Sequence, residues 1–146
     1  SEEIAAQGMA RSVGYLNAFL DKVLEDEGVT ASELIVFGFS QGTMLCLQVA
    51  PRRADCVAAI VGFSGRLIHP ETLIGEVVSK PPVLLVHGDQ DEVVAPQSLD
   101  QAAAAMSAAG FDVYTHTMKG TGHGIAPDGL NVALAFMREK LAISDT

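Results

Sequence analysis

Hydrophobic positions recur at steps of three and four residues over residues 4–24, which indicates a long amphipathic helix near the start of the chain. Ser1 followed by two glutamates is typical of a helix start, and Gly28 is typical of a helix end. The same spacing predicts four later helices: residues 41–50, 70–78, 96–109 and 130–141.

Short apolar runs lie between these helices and predict four strands: residues 34–39, 56–63, 83–87 and 113–118. Continuous runs of this length are typical of strands that are buried on both faces. The fourth run is more polar, so we expect it nearer an edge. Buried strands that alternate with helices predict an α/β fold, a doubly wound parallel sheet covered by helices on both faces. The length of 146 residues predicts a single domain over 1–146.

Composition removes several classes of function. Eighteen acidic against nine basic residues give a net charge of −9, which argues against nucleic acid or an anionic membrane surface as a partner. A hydrophobic content of 49% excludes a disordered chain. No apolar run is long enough to span a membrane and no secretory signal is evident, so we expect a cytoplasmic protein. Neither Cys46 nor Cys56 lies in a CxxC pair, and we expect two buried, reduced thiols.

The segment Gly38-Phe39-Ser40-Gln41-Gly42 has the form G-x-S-x-G between a predicted strand and a predicted helix. This motif places a nucleophilic serine at a sharp strand-to-helix turn, where glycines allow the chain to pass close. The alternative is an ordinary serine at the N-cap of a helix.

A nucleophilic serine needs a histidine to take its proton and an acid to orient that histidine. His123 is our candidate base, because it lies in a glycine-lined loop between the last strand and the last helix. Asp91 is the candidate acid, since it lies beyond the end of the third strand. Asp89 directly follows Gly88, and we expect it to hold its own turn through hydrogen bonds to the backbone.

Two rival interpretations use the same aspartates. Residues 89–93 also have the D-x-D-x-[TV] form of haloacid-dehalogenase-type phosphatases, which need Mg²⁺, a downstream lysine and a later pair of acids. No such pair follows Lys119, and this reading leaves the serine and histidine unexplained. A metal site formed by His87, Asp89 and Asp91 is disfavoured, because a tight turn of this kind is better suited to hydrogen bonding. We therefore expect no metal and no cofactor.

The segments GFSQGTM, VGFSGRL, PPVLLVHGDQDEVV and GTGHGIAPDGL, in this order, resemble the phospholipase/carboxylesterase family of α/β hydrolases, which includes the acyl-protein thioesterases. The resemblance implies that Ser40 is the nucleophile, Asp91 the acid and His123 the base. It also implies that the backbone N–H of Gln41 is one donor of the oxyanion hole. The implied activity is hydrolysis of a carboxylic ester, a lysophospholipid or an acyl thioester.

The resemblance covers about the last two-thirds of a family member. Family members have further strands before the nucleophile and a loop that supplies the second oxyanion donor, and only 39 residues precede Ser40. The alternative function is therefore a catalytically silent, hydrolase-like binding protein. We also expect self-association through the exposed edge of the first strand. Within the substrate pocket we expect Phe39, Ser64 and Leu67.

Overall fold

The computed structural model describes residues 1–142, so the last four positions of the predicted domain lie outside the described residues. Five α-helices are present in this part of the chain: α1 (Glu2–Glu27), α2 (Gln41–Val49), α3 (Pro70–Glu76), α4 (Gln97–Ala108) and α5 (Pro127–Lys140). Four strands alternate with them: β1 (Ile35–Phe39), β2 (Ala59–Phe63), β3 (Val83–Gly88) and β4 (Val113–Met118). Two short 3₁₀ turns follow α1 and α2.

The first helix begins and ends as its sequence predicts. The Ser1 hydroxyl accepts a hydrogen bond from the Ile4 N–H at 3.3 Å, and two glutamates occupy the first turn. Gly28 ends the helix in the left-handed conformation, with φ of 63°. A side chain here would be strained, which is why glycine stops the helix at this point.

The four strands form one parallel sheet in the order β1-β2-β3-β4. Since each strand pairs with the next along the chain, every right-handed crossover places its helix on the same face of the sheet. A large hydrophobic cluster accordingly joins this face to residues of α1, α2, α3 and α4. A smaller cluster on the other face contains residues of α5. The predicted α/β sheet is thus confirmed, with helices on both faces but unequal numbers of them.

Strand burial follows position in the sheet. Every residue of β2 and β3 is buried, as a central strand requires, and β4 is an edge strand as predicted. The prediction that β1 is buried on both faces is wrong, because its residues alternate between buried and exposed. Phe37 is 41% exposed. In the described residues β1 is the other edge of the sheet, and the helices α1 and α2 cover only one of its faces.

One of the two cysteine predictions is also wrong. Cys46 is buried on α2, as expected, whereas Cys56 is exposed. The apolar run that begins at Cys56 suggested a strand from this residue, but β2 starts at Ala59. Cys56 therefore lies in the connection that precedes the strand, and the sheet does not cover it.

Candidate active site

Ser40 occupies a strained turn between β1 and α2. Its φ is 55° and its ψ is −114°, a backbone conformation that non-glycine residues rarely adopt. The Ser40 N–H donates to the Phe63 carbonyl at 2.8 Å, and the Ser40 carbonyl accepts from the Met44 N–H at 3.2 Å. These bonds fix the turn against β2 on one side and into α2 on the other. The side-chain hydroxyl makes no capping bond to the helix, which argues against an ordinary N-cap serine.

The two glycines of the motif have different roles. A Cβ on Gly38 would meet the backbone of Gly42 and, at 2.5 Å, the nitrogen of Thr43. A Cβ on Gly42 would meet nothing within 4 Å. Thus only position 38 requires glycine for lack of space, because the backbone of the first turn of α2 packs directly against it. The buried Thr43 holds this turn in place, because its hydroxyl donates to the Phe63 carbonyl at 2.8 Å.

The structure brings together the three side chains that the sequence singled out. Nε2 of His123 lies 3.1 Å from the Ser40 hydroxyl oxygen. Nδ1 of the same ring lies 2.8 Å from Oδ2 of Asp91. Since a carboxylate only accepts hydrogen bonds, Nδ1 carries the hydrogen and Nε2 of the neutral ring is free to accept the proton of the serine. The ring therefore faces the serine with its basic nitrogen.

The loops that carry the acid and the histidine are joined to each other. Oδ1 of Asp89 accepts from the Gly120 N–H at 2.8 Å, and the Gln90 N–H donates to the Thr121 carbonyl at 2.9 Å. A Cβ on Gly88 would collide with the Thr121 carbonyl, so the loops approach closely at this point as well. The prediction for Asp89 is partly wrong. It does bind backbone, but in the loop after β4 rather than in its own turn.

Asp91 holds its own turn instead. Its Oδ1 accepts from the N–H groups of Val93 and Val94 at 2.8 and 2.9 Å, and its side chain is fully buried. Burial by itself would raise the pKa of Asp91, but the hydrogen bonds from His123, Val94 and Val93 stabilise the charged form more strongly. The net pKa of Asp91 lies below its usual value. The carboxylate is therefore charged at neutral pH although no solvent reaches it.

Two other histidines have partners elsewhere. Nε2 of His116, in β4, lies 2.7 Å from a carboxylate oxygen of Asp128 in the first turn of α5. His69 precedes α3, with Nδ1 at 3.2 Å from a carboxylate oxygen of Glu71. Neither contacts the serine, so the geometry favours His123 among these three rings.

Gln41 is the first residue of α2. Its N–H is one of the four that every helix leaves without an intrahelical acceptor, and it directly follows the strained serine. The helix macrodipole adds positive potential at the same place. An oxygen that gains negative charge beside Ser40 would be stabilised here.

The residues predicted to contact substrate differ in accessibility. Phe39 is 37% exposed, and its ring centroid lies 4.9 Å from that of His123, so its side chain borders the candidate site. Ser64 is buried, with a hydroxyl that has no partner, and Leu67 packs in the larger hydrophobic cluster. Neither of these two side chains is open to a substrate in this structure, because both are buried.

A groove of about 420 Å³ includes Gln41, the sequence neighbour of Ser40, although neither Ser40 nor His123 is among its lining residues. Its walls come from α1, α2 and the segment after β2, and they are mostly apolar. Arg66 is the charged residue among them. The lining residues are Ala5, Gly8, Met9, Ser12, Gln41, Met44, Leu45, Arg66 and Ile68.

A fourth polar residue lies at this site and was considered from the sequence only as part of the disfavoured metal site. His87 is buried at the end of β3, and its Nε2 lies 3.3 Å from Oδ2 of Asp91. The available signal was the position of His87 four residues before the acid, directly after an apolar run.

Among residues 1–142 no group of three or more histidines, cysteines or acidic residues is arranged to hold a metal ion. Over the same residues, no helix combines the length and the hydropathy needed to cross a membrane.

Known proteins share this fold and this order of elements. Acyl-protein thioesterase 1 of Gibberella zeae is 28% identical over 142 residues, which are 92% of this chain and 59% of that protein. The crystal structure of esterase PE8 is 41% identical with a TM-score of 0.89, over 92% of this chain and 63% of the other. The crystal structure of Zea mays acyl-protein thioesterase 2 is 25% identical in sequence with a TM-score of 0.78. The match covers 92% of this chain and 65% of that one.

These relatives are longer than the sequence in hand, which spans about 60% of their length. The description of the matching family model is phospholipase/carboxylesterase, and the match runs over residues 1–141. The expected resemblance is therefore confirmed over nearly the whole chain. The chain belongs to the phospholipase/carboxylesterase family.

Proposed function

We propose that this chain carries the catalytic residues of a serine hydrolase that cleaves carboxylic esters through an acyl-enzyme. The observation that carries the proposal is the position of one imidazole between two partners, at 3.1 Å from the Ser40 hydroxyl and 2.8 Å from the Asp91 carboxylate. Both distances are within the range that proton transfer and orientation require.

The proposed reaction has two halves. Nε2 of His123 takes the proton of Ser40 as its oxygen attacks the ester carbonyl, and the Gln41 N–H stabilises the resulting oxyanion. The imidazolium then gives its proton to the departing alcohol or thiol. Water, deprotonated by the same nitrogen, then attacks the acyl carbonyl; the bond between the acyl carbon and the Ser40 oxygen breaks, the imidazolium returns its proton to that oxygen, and the carboxylic acid leaves. Asp91 stays ionised throughout and stabilises the positively charged ring.

We take short-chain carboxylic esters as the first substrates, with lysophospholipids and acyl thioesters as further members of the class. The groove beside Gln41 supports this choice, because its methionine, leucine and isoleucine side chains would contact an acyl chain. The relatives named as acyl-protein thioesterases and as an esterase support the same class of bond.

A silent, hydrolase-like binding protein is the alternative. It is favoured by the oxyanion site, for which Gln41 supplies one donor where such sites commonly have two. Loss of a single donor lowers turnover by about 10²–10³-fold in other hydrolases. A slow hydrolase would still have a serine activated by His123, whereas a silent binding protein would not, so labelling of the nucleophile separates the two functions better than turnover does.

Intact-protein mass spectrometry before and after treatment with a fluorophosphonate is the test. The serine oxygen attacks phosphorus and fluoride leaves, so one adduct per chain is expected, absent in Ser40→Ala. Peptide mapping provides an internal control, because Ser107 is exposed on α4, far along the chain from the motif, and has no histidine contact among the described residues. An adduct on Ser40 alone supports activation by His123. Folded protein that stays unlabelled would contradict the proposal.

A further inference from the structure

His87 contacts the same oxygen of the candidate acid as His123 does. It is 2% exposed, and its Nε2 lies 3.3 Å from Oδ2 of Asp91 and 2.9 Å from the carbonyl oxygen of Val94. The Oδ2 atom is also the partner of His123 at 2.8 Å. One carboxylate oxygen therefore lies between two imidazole rings.

The partners of His87 determine which of its nitrogens carries hydrogen. A carbonyl oxygen only accepts hydrogen bonds, so Nε2 at 2.9 Å from the Val94 carbonyl must be the donor. Oδ2 of Asp91 lies farther from the same nitrogen, at 3.3 Å, in contact with the ring but without hydrogen-bond geometry. The other ring nitrogen is not used by either contact.

The backbone of Val94 links His87 to Asp91. Its carbonyl accepts from His87, while its N–H donates to Oδ1 of Asp91 at 2.9 Å. The peptide groups on the two sides of one residue thus connect His87 to the carboxylate. With the Val93 N–H at 2.8 Å, Oδ1 of Asp91 is held by two backbone N–H groups of the turn after β3, which leaves Oδ2 as the partner of His123.

We infer that His87 is a positioning residue for the proposed catalytic site, which orients the Asp91 carboxylate toward His123 by holding Val94, whose N–H binds the carboxylate, and by packing against Oδ2. The inference rests on the proposed hydrolase function. His87 does not contact the serine oxygen, and it acts only through the acid. A buried imidazole is costly without a partner, and the Val94 carbonyl is the acceptor for its N–H.

Three substitutions of His87 test the inference. His87→Gln places an amide nitrogen near the position of Nε2 and keeps the donor. His87→Asn ends one atom short of that position, and His87→Leu fills the space without a donor. Leaving the Val94 carbonyl without its buried donor corresponds to about a 5–100-fold effect. We expect kcat for a short-chain 4-nitrophenyl ester to fall by that factor in the Asn and Leu variants, with KM nearly unchanged.

Rescue by glutamine separates positioning from packing. We expect His87→Gln to retain kcat within about threefold of the unchanged chain, since it restores the donor. An equal fall of kcat in the Gln and Asn variants would overturn the inference, and so would a change confined to KM. So would full activity in all three variants.

A second readout does not need turnover. The proton on Nδ1 of His123, bonded to a buried carboxylate, gives a downfield resonance in the proton NMR spectrum. We expect it to persist in His87→Gln and to shift upfield or broaden in His87→Asn, with the dispersed methyl resonances retained as evidence of folding. An unchanged resonance in the Asn variant would overturn the inference, even if the chain hydrolyses no ester. Absence of both hydrolysis and fluorophosphonate labelling would instead count against the proposed function.

Discussion

Gly38→Ala tests the packing that creates the serine turn. The new Cβ would lie 2.5 Å from both the Gly42 carbonyl oxygen and the Thr43 nitrogen, whereas Cβ contacts essentially never fall below 3.0 Å. The first turn of α2 must therefore retreat from β1 by roughly 0.5 Å or more, as overpacked interiors do. It cannot retreat freely, because the Thr43 hydroxyl binds the Phe63 carbonyl at 2.8 Å.

We expect Gly38→Ala to lower the free energy of unfolding by about 1–3 kcal/mol or more, the range for overpacking in a tightly packed interior. Gly42→Ala is the matched control in the same motif, because its Cβ would enter open space. Alanine is the better helix former, so this variant should be between neutral and about 1 kcal/mol more stable.

Urea unfolding followed by circular dichroism measures both variants, with midpoints compared at equal slopes. Fluorophosphonate labelling of Ser40 at a urea concentration well below the midpoint then reports the geometry of the turn. We expect slower labelling of folded Gly38→Ala than of folded Gly42→Ala. A Gly38→Ala protein within about 0.5 kcal/mol of the unchanged chain, the range for an ordinary surface substitution, would refute the reasoning.

Three further predictions concern other parts of the molecule. Burial raises the pKa of the Cys46 thiol to about 11, so iodoacetamide should modify only the exposed Cys56 in folded protein and both thiols in urea; rapid modification of Cys46 before unfolding would contradict this. The pKa of Asp91 is lowered on folding, so its stabilising contribution is present above the unfolded value near 3.8 and is lost as pH falls through the lower folded value. The stability difference between the unchanged chain and Asp91→Asn should therefore narrow from pH 6 to pH 3, and a constant difference would oppose it. Sedimentation velocity should reveal concentration-dependent self-association through β1, weakened by Phe37→Lys at the exposed edge, whereas a monomer at all concentrations would exclude it.

The parts of the fold that depend on local pattern could be predicted from the sequence. Strand β4 has the predicted bounds, and α1 ends at its glycine. The apolar run over β1 does not reveal that only one of its faces is covered by helices, and this is why the exposure of Phe37 was missed. The apolar letters around Cys56 likewise do not show that the strand begins three residues later.

The site was predictable where a motif fixes the backbone and less so where contacts join distant loops. Ser40 and His123 each lie between glycines in loops at strand ends, and that pattern can be read directly from the sequence. The bond from Asp89 to Gly120 joins residues 31 positions apart, and no local spacing encodes it. The place of His87 beside Asp91 was missed for a related reason. Its proposed role depends on the path of the backbone, which brings the Val94 carbonyl to 2.9 Å from the His87 ring.

The order of the strands in the sheet has a consequence for how the molecule folds. Since each strand pairs with its neighbour in sequence, the sheet can be extended one strand–helix unit at a time, with short loop closures at every step. The serine turn needs only β1, α2 and β2, whereas His123 reaches it after β4 has docked. Reactivity of Ser40 during refolding would therefore mark the last strand to join, and a burst of labelling before that step would indicate a different order of assembly.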